Sequence, residues 1–319
     1  LVASFMAFEN KGNVDLDSKI HGIRSAANAQ IEKAGFPNRK DEEWKYTSLN
    51  SLLKNDYSVF PKSEAAIELK EVKQYFLHEI ESYKLVFIDG VYSSFLSDTT
   101  HEGVDICILS SALKQPKYKM VVDHYFGTVA SKSESLTSLN TAFSKEGAFI
   151  NIPKNIVLPK PIQILHFSTG NEKEIMLQPR NLIVVGENSH VQIYERHQSL
   201  SDNKVLTNAV TEVFAHKRAI ADIYKIQNDR KTSSLIDNTY VHQKDSSIVS
   251  INTFSFGGNI TRNNLEFHQE GEHINSNLNG ITLIGGKQHV DNHTLVHHKQ
   301  ENCESHEMYK GIYDDQSTG

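Results

Sequence analysis

After residue 150 the chain breaks into short β-type runs at nearly constant spacing, a pattern few folds accommodate. The runs begin near Val191, Val205, Ala219, Ser233, Ser247, Ile260, His273, His289 and His306, 13 to 17 residues apart. Runs such as AIADIYKIQND, SSLIDNTYVHQ and SIVSINTFSFG alternate apolar residues with Ser, Thr or Asn, and the turns carry Gly, Asn, Asp and Lys. In SIVSINTFSF, Val249, Ile251 and Thr253 share one face and Ile248, Ser250, Asn252 and Phe254 the other, because side chains alternate along a strand. A β-sandwich and a β-solenoid both supply regular short strands. A sandwich fits about seven to nine strands into roughly 100 residues, whereas this spacing runs from Val191 to His306. Asn and Thr inside strands suit a stack in which like residues ladder above one another. The pattern therefore favours the solenoid, with the sandwich as the alternative.

The first 150 residues read differently, as mixed α and β, which sets expected domains at 1–150 and 151–319. Leu16, Ile20, Ile23, Ala27 and Ile31 recur at helical spacing, so Asp15 to Ala34 reads as a helix. Asp15 or Asp17 can cap it, and Gly35 and Pro37 stop it. Glu64 to Phe76 suggests a second helix. Residues 84–96, KLVFIDGVYSSFL, read as a hairpin turning at Asp89-Gly90. Residues 123–145 carry helical signals, with Leu136, Leu139 and Phe143 on one face. A helical front of this kind can cap an open sheet end.

Composition narrows the function classes. The net charge is -6 with no Lys/Arg-rich run, which argues against a nucleic-acid partner. No apolar run reaches the roughly 18–20 residues of a membrane helix. The start, LVASFMAFEN, has no basic region before its short apolar stretch and reads as a segment start, not a signal peptide. Two distant cysteines, Cys107 and Cys303, fit neither a disulfide framework nor an all-cysteine zinc site. The expected location is cytoplasmic. Cys107, between apolar residues in VDICILSS, reads as a core thiol.

Nucleotide and hydrolase motifs fail. GITLIGGKQ (280–288) approaches a P-loop, but Gly286 separates Gly285 from Lys287, and Gln288 stands where Ser or Thr belongs. The segment HVDNHTLVHHKQENCESHE (289–307) holds five histidines and one cysteine. Val290, Thr294 and Val296 make it a strand, on which His289, His293 and His297 share a face at steps of about 13 Å. That is too far for one metal with bonds of about 2 Å. The plainer reading is a polar strand whose histidines ladder or hydrogen-bond. A metal site drawn from His293, His297, Cys303 and His306 would need partners on neighbouring coils. A nucleophilic Cys303 beside a histidine is a further alternative. Asp222, Asp229, Asp237, Asp245 and Glu266 lie on successive coils, as in β-helix enzymes that cleave polysaccharides, but no pair stands out.

Four stretches carry a family resemblance. They are GFPNRKDEEWKYTSL (35–49), with Arg39, Glu43, Trp44, Lys45, Tyr46 and Thr47; SLNTAFSKEGAFINIPKN (138–155), leading to PKPIQILHF; QPRNLIVVGENSHVQIYERH (178–197); and 289–319, with Asp291, Thr294, His298, Ser305, Lys310 and Gly311. Together they resemble the SufD family of iron–sulfur cluster assembly proteins, in order and over nearly the whole chain. The front block is more similar to SufD than to its paralogue SufB. The resemblance implies a right-handed parallel β-helix after a mixed α/β N-terminal domain. It also implies a non-catalytic scaffold subunit that pairs with a SufB-like subunit and a SufC-like ATPase, which binds the ATP. On this reading no catalytic or cofactor-binding residue is expected in the chain, and iron or an iron–sulfur cluster associates only transiently within the complex. A homodimer through the β-helix is a further expectation. Family members are expected to continue past YDDQSTG, with the docking and Cys-x-His residues in that continuation, so Cys303 does not inherit their role. The competing functions are a metal-binding protein using residues 289–306 and a carbohydrate-active β-helix enzyme.

Overall fold

The computed structural model describes residues 19–59, 67–99, 103–130, 134–170 and 174–319. It is mainly β, a parallel solenoid of about six turns after an N-terminal α/β region. The first helix, α1, spans Lys19–Ala34. Gly35 ends it in the left-handed region at φ 69°, its N–H donating to Ile31 O, a conformation glycine adopts without a Cβ clash. The expected caps Asp15 and Asp17 and the LVASFMAFEN start lie outside the described residues. So does the beginning of the expected 64–76 helix, whose described part is α2 (Leu69–Val72) followed by a 3-10 turn at Lys73–Tyr75. The hairpin forms as expected: β1 (Tyr83–Ile88) and β2 (Val91–Tyr92) join through Asp89 and Gly90, both at positive φ. After β3 (Asp105–Ile108) come α3 (Leu109–Lys114) and α4 (Pro116–Tyr125). Their short apolar periods hid both from the sequence reading. The third expected helix is α5 (Ser135–Phe143), which buries Leu136, Leu139 and Phe143.

The solenoid strands are β4 (Ala148–Ile152), β5 (Ile162–Ser168), β6 (Ile175–Leu177), β7 (Arg180–Val185), β8 (His190–Ser199) and β9 (Val205–Ala215). They continue as β10 (Ile220–Gln227), β11 (Ser233–Gln243), β12 (Ile248–Ser255), β13 (Ile260–Gln269), β14 (Asn275–Ile284), β15 (His289–His298) and β16 (Glu304–Tyr313). β6 pairs with β9, and from β7 onward consecutive strands alternate between two sheets. One runs β16-β14-β12-β10-β8-β5-β1-β2, the other β15-β13-β11-β9-β7-β4-β3. Each coil thus contributes two strands, and the 13–17-residue spacing in the sequence is half a coil. Ile162, Ile193, Ile223, Ile251 and Leu278 stack in register up the interior. Ladders of like residues also occur, including Tyr194 on Tyr224 and Asn252 against Asn279.

One corner recurs in every coil. Asn155, Asn188, Arg218, Ser246, His273 and Asn302 all sit near φ 60° between a strand of the second sheet and the next strand of the first. Asn and His tolerate this region; Arg218 and Ser246 occupy it because the coil geometry overrides local preference. Close backbone approach sets Gly147, where an added Cβ would fall 1.9 Å from Arg180 O. Gly147→Ala is expected to cost about 1–3 kcal/mol through forced backbone movement, read as a lower urea midpoint. An unchanged midpoint would show that the β4–β7 contact yields freely.

Candidate functional site

The sequence places Trp44 and Thr47 some 220 or more residues before Arg262 and Asp291, and the fold brings them together. Trp44 is buried, and the Arg262 guanidinium stacks over its ring, 4.1 Å from the centroid. Arg262 also donates to Glu43 O at 2.6 Å and pairs with the Asp291 carboxylate. Thr47 donates to that same carboxylate and lies 2.9 Å from His289 Nε2. A planar guanidinium can stack and make directed hydrogen bonds at once, which an ammonium cannot. Two of the stretches that carried the family resemblance are therefore one physical joint, fastening the front segment to the outer face of the β11–β13–β15 sheet.

That joint forms one wall of a cavity of about 570 Å³. Glu43, Trp44, Arg262, Glu266, His293 and His297 line it. Register explains the histidines: His242, His268 and His297 are direct partners on β11, β13 and β15. The rings of His268 and His297 stack at 4.6 Å. Glu266, two residues before His268 and on the same face, brings Oε1 to 2.9 Å from His268 Nε2 and 3.4 Å from His297 Nε2. Burial would raise the Glu266 carboxyl, but the two imidazoles outweigh it and hold it below the usual range. Next along, Glu270 accepts from Lys299 and His242, both at 2.7 Å, and is pushed down to about 2, the Lys299 hydrogen bond being the largest cause.

The four residues singled out from the sequence do not converge. His297 joins Glu266 and His268, as a site with partners on a neighbouring coil requires. His293 pairs instead with Glu43, and both line the cavity. The Cys303 thiol donates to Gly271 O at 3.1 Å, and His306 lies 3.3 Å from Glu304. His268 and His242 escaped the sequence reading, although a signal was present. Val241-His242-Gln243, Phe267-His268-Gln269 and Val296-His297-His298 repeat one tripeptide pattern at coil spacing. Of the remaining family-like positions, His298 Nε2 lies 3.2 Å from Ser305 Oγ, and Thr294 donates to Glu307. A Cβ on Gly311 would meet the Tyr313 ring at 2.4 Å. Cys107 is half-buried, and burial, with Asp105 and Glu146 nearby, pushes its thiol up to about 12.

A second polar cluster fills the solenoid interior. The Lys225 ammonium donates to Glu195 at 2.9 Å and to both oxygens of Asp237 at 2.8 and 2.9 Å, all three groups being buried. Asn181 donates to Glu195, also at 2.9 Å. His166 and His197 stack beside this triad at 4.7 Å. Burial, assisted by His197, pushes His166 down to about 3, so its imidazole is neutral. Burial alone would raise Glu195, but Lys225 and His197 outweigh it and hold its carboxyl below the usual range. Asp237, one of the acids on successive coils, is buried and points inward from β11. The other acids scatter: Asp222 meets His190, Asp229 caps Ser199 N, and Asp245 accepts from Glu272 N. They do not form the facing pair of a glycosidase groove.

Comparison with known proteins agrees with this architecture. The model described as the SufBD core domain of the SUF iron–sulfur cluster assembly system matches residues 167–319, and that of the SufBD N-terminal region matches 8–164. The SufBD family protein slr0076 of Synechocystis is 26% identical over 94% of this chain and 67% of its own length. Escherichia coli SufD is 23% identical over 90% of this chain and 64% of its own, and the chloroplastic ABCI8 of Arabidopsis thaliana 28% over 91% and 56%. The chain thus spans about two thirds or less of the length of these relatives. With both family models matched in order along the solenoid and the region before it, the chain belongs to the SufBD family of iron–sulfur cluster assembly proteins.

Proposed function

We propose that this chain is a SufD-type scaffold subunit, working in the cytoplasm with a SufB-like subunit and a SufC-like ATPase that performs the turnover. The observation that carries the reading is the joint of Trp44 and Thr47 with Arg262 and Asp291. It unites the SufD-like front block with a late coil, so the family pattern is realised as one packed unit. In this reading residues 1–150 are the mixed α/β N-terminal domain and 151–319 the β-helix. Iron or a nascent cluster is cargo that passes through the complex. The similarity to Escherichia coli SufD, spread over most of the chain, supports the SufD side of the pair.

The test is co-expression of the tagged chain, carried on to the length of its relatives, with SufB-like and SufC-like subunits from the same source. Co-purification in a stable complex with ATPase activity is the expected result. Failure to retain either subunit, under conditions where those two still bind each other, would overturn the reading.

A further inference from the structure

We propose that Glu266, His268 and His297 form a binding site for a divalent first-row transition metal ion on the outer face of the solenoid, opening into the 570 Å³ cavity. This goes beyond the scaffold reading and does not depend on it, because the site lies wholly within the chain.

Three observations carry the inference. One ligand atom from each residue lies within 4.8 Å of the other two. Two of the three separations, 2.9 and 3.4 Å between the carboxylate oxygen and the ring nitrogens, already match the roughly 3.0–3.4 Å between neighbouring donors around an ion with bonds of about 2.1 Å. The third separation, between the two imidazoles, is within 4.8 Å. Moreover, neither ring nitrogen of His268, nor Nε2 of His297, has an aligned hydrogen-bond partner, although all three atoms are buried. A donor atom brought close to a carboxylate without hydrogen-bond alignment suits a shared ion better than a direct contact.

Chemistry selects the ligand class. Two imidazoles and one carboxylate favour zinc or ferrous iron over magnesium or calcium, which prefer all-oxygen shells. Three protein ligands leave coordination positions open toward the cavity, as exchangeable sites require. His293, paired with Glu43, also lines this cavity. The interior group His166, Glu195 and His197 also meets the distance condition. There the Lys225 ammonium already sits 2.9 Å from Glu195 and serves as its counterion, so a second cation would meet direct repulsion.

The test is titration of the purified full chain with Co2+, followed by visible ligand-field absorption and by displacement with Zn2+. One Co2+ per chain is expected, with affinity reduced at least about tenfold in Glu266→Gln, His268→Ala and His297→Asn, and retained in Cys303→Ser and His306→Ala. Circular dichroism melts check folding. Should His268→Ala fail to fold, Glu266→Gln and His297→Asn decide. Absence of saturable Co2+ binding, equal affinity in those two variants, or loss in Cys303→Ser or His306→Ala would overturn the assignment.

Discussion

Lys225→Met is expected to destabilise the protein by about 3–5 kcal/mol, because it leaves the buried Glu195 and Asp237 carboxylates without their shared cation. The pH dependence should be diagnostic. In the native chain, Glu195 sits below its ordinary range, so its contribution is present above the unfolded carboxylate pKa and is lost as pH falls through the lower folded one. Asp237 already lies above its ordinary range in the native chain, burial being the largest cause; without the ammonium, burial raises Glu195 as well and Asp237 further, so the folded variant holds protons that the unfolded chain releases. Its stability should then rise as pH falls from neutral toward the unfolded carboxylate range. Urea unfolding at neutral and mildly acidic pH measures both effects. A loss under about 0.5 kcal/mol, within the range of an ordinary surface change, would mean that the triad does not carry this charge balance. The triple variant Glu195→Gln, Lys225→Met, Asp237→Asn removes every charge together and is expected to recover much of the loss.

Trp44→Ala should cost about 3–5 kcal/mol, from the buried indole and the cavity it leaves. The stacking of Arg262 on the ring is lost as well, worth about 0.5–2 kcal/mol. The loss should be local first: residues 38–53 are expected to become protease-sensitive before the solenoid does. Trp44 is the only tryptophan in the chain, so Arg262→Ala offers an independent readout. Its indole emission should shift to longer wavelength as the ring gains water. An unchanged emission maximum together with an unchanged proteolysis pattern would show that the front segment is held by other contacts.

Much of the architecture was legible in advance. Strand starts inferred at Val205, Ser233, Ile260 and His289 coincide with the observed ones, because alternation and turn residues are local signals that a solenoid repeats. The two short helices between Leu109 and Tyr125 were not foreseen: six and ten residues carry too few apolar periods to be read against the strands around them. The site was half legible. His297 was named, and partners on neighbouring coils were required, but which residues the register sets opposite it is not written in the local sequence.

The regular spacing, the polar ladders and the resemblance between separated segments follow from the order of residues alone. Which residues meet does not, since a partner in a parallel solenoid lies 26 to 33 residues away, and each coil's corner and turn lengths set that offset. A one-residue change in a turn would bring a neighbouring position, in place of His268, opposite His297 and turn Asp237 from the interior to the outside. The left-handed corners at Arg218 and Ser246 hold the register against local preference. The cross-coil register they maintain puts Glu266, His268 and His297 around one point and Lys225 between two buried carboxylates.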